Sequence, residues 1–159
     1  MTSTYAKEEN KNPSVTEFFK QHIYFSRFPE DDRIYLANRC AVKKLKQDEL
    51  IFRDNEVGTS GYILKDGGVK IFKEGFLGEE QISQLGKGDI IGEMVLLDAL
   101  PRSASAKSIT ETELVEVSSE MFEKLKIERP DIAVKIMEIF LKLLTTRLRT
   151  TTLKLFGQF

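Results

Sequence analysis

The chain is poor in the residues that build reactive centres. Its 159 residues include one cysteine, Cys40, one histidine, His22, and no tryptophan. A single cysteine excludes an internal disulfide and an all-cysteine zinc or iron–sulfur site. A single histidine excludes the multi-histidine metal centres of barrel oxygenases and hydrolases. It also leaves a His-dependent triad without support anywhere but near the N-terminus. Neither sign of charge dominates, with 24 Lys and Arg against 25 Asp and Glu. The chain therefore lacks the basic excess expected of a nucleic-acid binder. Its one close basic cluster, Lys43, Lys44 and Lys46, reads as the solvent side of a strand. No run reaches the ~20 apolar residues of a membrane span. Residues 1–12 are polar and do not read as a secretory signal. A cytoplasmic protein that binds neither DNA nor membrane is expected.

Apolar residues make up 41% of the chain, enough for one globular domain with a real core. Residues 1–12 read as a disordered or weakly held arm. From Pro13 a helical spacing begins: Val15, Phe18, Phe19 and Ile23, then Ile34, Leu36 and Ala37, interrupted near Pro29. This predicts two or three short helices over residues 13–40. The middle is cut into short segments near 41–46, 49–53, 61–65, 69–73, 80–85, 89–91, 103–108 and 112–117. Turn-forming stretches such as "DNEVGTSG", "KDGG", "EGFLGE" and "GKGD" separate them. Asp66-Gly67 predicts a tight hairpin between "YIL" and "VKIF". Many short strands at even spacing point to an antiparallel sandwich or barrel over 41–117.

Beyond Val117 the spacing becomes helical again. Ser118 or Ser119 caps a short helix through Ile127, and Pro130 opens a second one. About 25 residues at ~1.5 Å each give nearly 40 Å, longer than a small β-domain is wide. Ile136, Ile139, Phe140, Leu141, Leu143 and Leu144 cover most of that helix's circumference. One face can lie on the domain, and the other needs a partner, most simply the same helix of a second copy. Leu144, Leu148 and Leu155 are the expected seam.

One segment, "GKGDIIGEMVLLDALPRSAS", carries charges that do not fit their apolar surroundings. Glu93 opens the run Met94, Val95, Leu96, Leu97, and Arg102 follows Pro101. A short helix beginning after Glu93 leaves the Met94 and Val95 amides without intrahelical partners, and such a terminus favours anions. Gly92 lets a ligand approach the backbone. Arg102 offers a fork of donors suited to a phosphate, with the Ser103 hydroxyl beside it. Glu93 only accepts hydrogen bonds, so it suits a hydroxyl-bearing part of a ligand. On these residues alone two readings stand: an ion pair that pins a loop, or a clamp on a sugar phosphate.

The same stretch, "GDIIGEMVLLDALPRSASAKS", resembles the phosphate-binding cassette of the cyclic nucleotide-binding domain family. Gly92, Glu93, the Leu96–Leu97 pair, Pro101, Arg102, Ser103 and Ala104 carry the resemblance, which extends over roughly residues 15–156. It implies a mainly β fold with flanking helices: an antiparallel β-roll or jelly-roll barrel with the cassette at 89–105. N-terminal helices would precede the roll, and C-terminal helices over 118–159 would include a long dimerisation helix. It also implies site roles. Glu93 would bind the ribose 2′-hydroxyl. Arg102 would bind the cyclic phosphate, helped by Ser103 and the amides near Met94 and Val95. Ile71, Ile82 and Ser83 match strand positions that line the pocket. Val95 departs from the small residue common at its position.

The resemblance implies a non-catalytic sensor of cyclic AMP, with cyclic GMP as the less favoured ligand. Ligand binding at the cassette would move the C-terminal helix. No cofactor is expected, and the effector would be a domain or protein outside this chain. No helix-turn-helix domain is expected after the long helix, so the chain reads as a free-standing sensor or one cut from a longer protein. The alternative is a ligand-free module that keeps the fold and assembles through the helix. Five threonines, Thr145, Thr146, Thr150, Thr151 and Thr152, are unusual in a helix because β-branching costs side-chain freedom. Either they bond back to the preceding turn or some of them touch the base. Thr151 and Thr152 are the expected base contacts, with Arg147 on the same helical face in reserve.

Overall fold

The computed structural model describes residues 4–157. The chain divides into two compact units, residues 1–121 and 122–159.

The first unit opens with helix α1 (Pro13–Gln21), a 3₁₀ turn (Phe25–Arg27) and helix α2 (Glu30–Arg39). Pro13 sits in the first turn of α1, where its missing N–H costs nothing. Val15, Phe18 and Phe19 share one face and are buried. The Phe19 ring stacks on Phe25 with centroids 4.6 Å apart. Ile23 does not join them: the helix has ended before it, and its side chain is 69% exposed.

Part of the arm before α1 is held against α2. Residues 1–3 lie outside the described residues, but Glu8 forms an ion pair with Arg39 at 2.8 Å. The Asn38 side chain accepts from the Lys11 N–H and donates to the Glu9 carbonyl. Asn12 donates to the Ala37 carbonyl. Polar residues that cannot join a core are held here by side-chain to backbone bonds.

Eight strands follow among the described residues: β1 (Ala41–Leu45), β2 (Leu50–Phe52), β3 (Ser60–Asp66), β4 (Gly68–Gly75), β5 (Gly78–Gly86), β6 (Ile90–Ile91), β7 (Ser105–Ser108) and β8 (Thr112–Ser118). One turn of helix, α3 (Val95–Asp98), lies between β6 and β7. All pairings are antiparallel: β1 with β8, β2 with β7, β3 with β6, and β4 with β5. The chain therefore runs out through four strands and back through four, wound as a double strand. Added pairings of β3 with β8 and β4 with β7 complete two sheets, ordered β1-β8-β3-β6 and β2-β7-β4-β5. This is the expected antiparallel β-roll with helices before and after it. Leu45, Ile51, Phe52, Tyr62, Leu64, Val69, Ile91, Ala106 and Leu114 form a core drawn from both sheets, with Ile71 and Leu85 packed on it.

The expected hairpin at Asp66-Gly67 is not one. β3 and β4 belong to different sheets. Gly67, at φ +91°, turns the chain from one sheet to the other, and a Cβ there would lie 2.4 Å from the Glu111 carbonyl oxygen. A sheet-to-sheet corner and a hairpin need the same residue types, so the dipeptide alone does not separate them. The tight hairpin is β4–β5, closed by Phe76 and Leu77 between the paired Gly75 and Gly78.

Helix α4 (Ser119–Glu128) follows β8 directly, capped by the Ser118 hydroxyl, which accepts from the Met121 N–H. Helix α5 (Pro130–Phe156) has Pro130 in its first turn and runs for 27 residues. In the second unit, Phe122 and Phe140 lie with ring centroids 6.0 Å apart. Ile132, Ala133, Ile136, Ile139 and Phe140 are buried, whereas Leu141, Leu148, Leu153, Leu155 and Phe156 are exposed. No helix among the described residues is long and apolar enough to cross a membrane.

Candidate functional site

The site is assembled around Arg102. Its backbone is fixed on both sides by the β2–β3 loop: its N–H donates to the Glu56 carbonyl, and its carbonyl accepts from the Asn55 N–H, each at 2.8 Å. The side chain is 8% exposed. Its guanidinium donates through Nη1 to the Gly92 carbonyl at 2.9 Å and through Nη2 to the Ser60 carbonyl at 2.6 Å. The guanidinium carbon lies 4.1 Å from the centre of the Phe52 ring. Phe52 in turn stacks near Tyr62, 18° from parallel with centroids 6.4 Å apart.

The Arg102 Nε is buried and has no hydrogen-bond partner. A buried donor left unmade costs about 1–3 kcal/mol, so this arginine is held at some expense. Burial pushes its proton affinity below the ordinary arginine value, while the charges of Tyr62, Glu56 and Glu93 push it back up. It remains a cation at any physiological pH.

Glu93 is 1% exposed and follows Gly92, whose φ is +68°. That left-handed backbone turns the chain from β6 into α3. It also keeps a Cβ out of the space taken by Arg102, since one at Gly92 would sit 2.6 Å from Nη1. The first bond of the turn runs from the Leu96 N–H to the Glu93 carbonyl. Met94 and Val95 therefore precede the first bonded donor, as expected. The helix is a single turn of four residues, Val95–Asp98, one position later than the expected run from after Glu93 through Leu97. A single turn has little macrodipole, so attraction for an anion rests on Arg102 and these amides. Gly61 lets this turn lie close to β3: a Cβ there would meet the Leu96 side chain at 3.1 Å and the Glu93 backbone at 3.3 Å.

The remaining expected residues separate. Ser103 is exposed beside Arg102. Val95 is buried, so its branched side chain packs into the fold. Ile71 packs against the roll's core and pairs with Ser83. The register then shifts so that Phe72 pairs with Gln81, which leaves Ile82 as an unpaired extra residue, 54% exposed. This bulge breaks the alternation that would otherwise send Ile82 and Ser83 to opposite faces. Thr151 and Thr152 lie on α5 in the second unit. The Thr145, Thr146, Thr150 and Thr152 hydroxyls each donate to the carbonyl four residues earlier, at 2.7–3.0 Å. Back-bonding therefore occupies the proton of Thr152 but leaves its oxygen able to accept.

Phe52, Gly58 and Ser60 escaped the sequence reading. Gly58 lay in a stretch legible only as turn chemistry, Phe52 is an ordinary core residue of a strand, and Ser60 contributes through its backbone.

The double-wound roll belongs to a known class. Residues 42–128 match the model of the cyclic nucleotide-binding domain. The chain is a member of that family, a class of regulatory domains. It is 31% identical over 108 residues to a cAMP-dependent protein kinase regulatory subunit of Emericella nidulans, covering 68% of this chain and 26% of that protein. It is 34% identical over 110 residues to the Cyclic AMP receptor protein of Thermus thermophilus, covering 69% and 49%. The fold is similar to a cyclic nucleotide-binding domain from Methylobacillus flagellatus, with a TM-score of 0.77 at 26% identity over 88% of this chain and 79% of that one. The chain spans about a quarter to a half of the length of these curated relatives.

Proposed function

We propose that the cassette binds one cyclic AMP per chain and passes the event to α5. The observation that carries this reading is Arg102: a guanidinium enclosed by glycines, with a buried Nε that the protein leaves without a partner. An anion at the cassette would offset the cost of holding it there. Arg102 takes the cyclic phosphate, with the Met94 and Val95 amides and the Ser103 hydroxyl. Glu93 accepts from the ribose 2′-hydroxyl. Ile71, Ile82 and Ser83 line the pocket, and Thr151 and Thr152 touch the base. The relatives support this ligand, since one is named for cyclic AMP reception. A regulatory domain from Toxoplasma gondii, 25% identical with a TM-score of 0.62, was crystallised with cAMP.

Cyclic AMP is favoured over cyclic GMP. Ser103 serves either phosphate, so the choice falls on the base contacts of α5. A base contact there couples the ligand to the helix, and through its exposed leucines to a second copy of the chain. The protein performs no catalysis in this reading. Its output passes to an effector domain or protein. A ligand that binds only the folded state raises its melting temperature by mass action. Thermal unfolding with and without excess cyclic AMP tests the reading: an upward shift that grows with ligand concentration supports it, and no shift at millimolar ligand defeats it.

A further inference from the structure

Two positions beside Arg102, Gly58 and Phe52, bound the space its guanidinium can occupy. The geometry points to Gly58 and Phe52 as positioning residues that hold the Arg102 guanidinium in a slot, ready for the phosphate. This inference rests on the cassette reading above.

The slot has three walls. A Cβ on Gly58 would lie 2.5 Å from both Cζ and Nε of Arg102 and 2.7 Å from Nη2. A Cβ on Gly92 would lie 2.6 Å from Nη1 and 3.2 Å from the Phe52 ring. The Phe52 ring forms the third wall, 4.1 Å from Cζ, where a cation is attracted by the ring face. The Ser60 and Gly92 carbonyls fix rotation within the slot. A free arginine side chain has ~2 kcal/mol of rotamer entropy to lose on capture of an anion. The slot removes that cost before the ligand arrives.

Gly58 tests positioning with no added backbone strain. Its backbone is not in the left-handed region, so alanine adopts it without strain. The atoms its methyl would meet are the far end of a side chain, so the guanidinium shifts rather than the backbone and gives up its bonds to the Ser60 and Gly92 carbonyls. Gly58→Ala should therefore leave the protein folded while displacing the guanidinium. Gly92 cannot be used this way, because its φ of +68° adds strain of its own. Phe52 belongs to the core and tests positioning and stability at once.

The experiment is calorimetric titration of cyclic AMP into four proteins: wild type, Gly58→Ala, Arg102→Lys and the double variant, with thermal unfolding of each. Lysine has no planar fork to fit the slot. The expected result is an affinity loss of about tenfold for Gly58→Ala in a protein that still unfolds cooperatively, with little further loss when it is added to Arg102→Lys. Phe52→Tyr should keep the affinity that Phe52→Leu loses. Unchanged affinity in Gly58→Ala, or an equal loss in both backgrounds, overturns the positioning role while leaving the cassette reading intact. Absence of binding by the wild type overturns the cassette reading and this inference with it.

Discussion

The Arg102 guanidinium donates to the carbonyl oxygen of Gly92 at 2.9 Å, and Gly92 immediately precedes the buried Glu93. The two charged residues of the cassette are thus tied through one backbone group, so a change at either one is felt at the other. Arg102→Ala leaves the Gly92 and Ser60 carbonyls without this donor, and each unmet buried group costs about 1–3 kcal/mol. The variant should be measurably less stable to urea as well as defective in ligand binding. Glu93→Ala should weaken cyclic AMP by about tenfold or more, the worth of a hydrogen bond to a charged group. Wild-type affinity in Glu93→Ala would remove Glu93 from the site.

Gly67 makes the corner between the two sheets at φ +91°. Gly67→Ala combines a disfavoured backbone with a Cβ 2.4 Å from the Glu111 carbonyl oxygen. A loss of about 1–3 kcal/mol in urea denaturation is expected. Gly78→Ala, at φ +110° on the open hairpin tip with nothing within 4 Å, should lose less. Equal losses would mean that the corner is not the constraint.

His22 bridges the end of α1 and the turn before β6: its Nε2 is 2.7 Å from the Gly88 carbonyl, and its Nδ1 accepts from the Tyr24 N–H. Those bonds fix the neutral ring with its proton on Nε2. Burial holds its pKa below the ordinary 6.5, opposed by the Gly88 carbonyl and the Asp89 charge. Asp89 and Lys87 line the cleft beside it. The unfolded chain therefore binds this proton more readily than the folded one. Stability from His22 is complete above the unfolded value near 6.5 and is lost as pH falls below it towards the depressed folded value. His22→Gln should flatten the stability curve just below pH 6.5. The carboxylates held low by Arg39, Lys65 and Arg129 act at more acid pH, below their ordinary values of 3.8–4.5. A slope that survives His22→Gln would show that another group is responsible.

The exposed leucines of α5 predict self-association. Leu148 and Leu155, 68% and 71% exposed, lie two turns apart on one face. The chain should scatter light as a dimer at tens of micromolar with cyclic AMP present, and Leu148→Glu should shift it towards monomer. A monomeric wild type under those conditions contradicts the expected assembly.

Much of this molecule was legible in its residues. Alternation and turn chemistry marked all eight strands, because a half-buried strand needs apolar side chains on every second position. Glu93 and Arg102 stood out because charges beside Met94–Leu97 have no place in an ordinary core. The order of pairing was not legible: Asp66-Gly67 has the composition of a hairpin, and only long-range packing makes it a corner. Nor was the slot around Arg102. Gly58 and Phe52 are brought to it by the fold across some fifty residues of sequence, and nothing local records that meeting. His22 read as a lone histidine because its two partners are backbone groups.

The most direct test of the account is isothermal titration of the wild-type chain with cyclic AMP and cyclic GMP, beside the Arg102→Ala variant. One site per chain is expected, with tighter binding of cyclic AMP than of cyclic GMP and a loss of at least tenfold for Arg102→Ala, in line with ~1.5–3 kcal/mol per charged hydrogen bond. No heat of binding in the wild type, or the same isotherm for a folded Arg102→Ala, would contradict it.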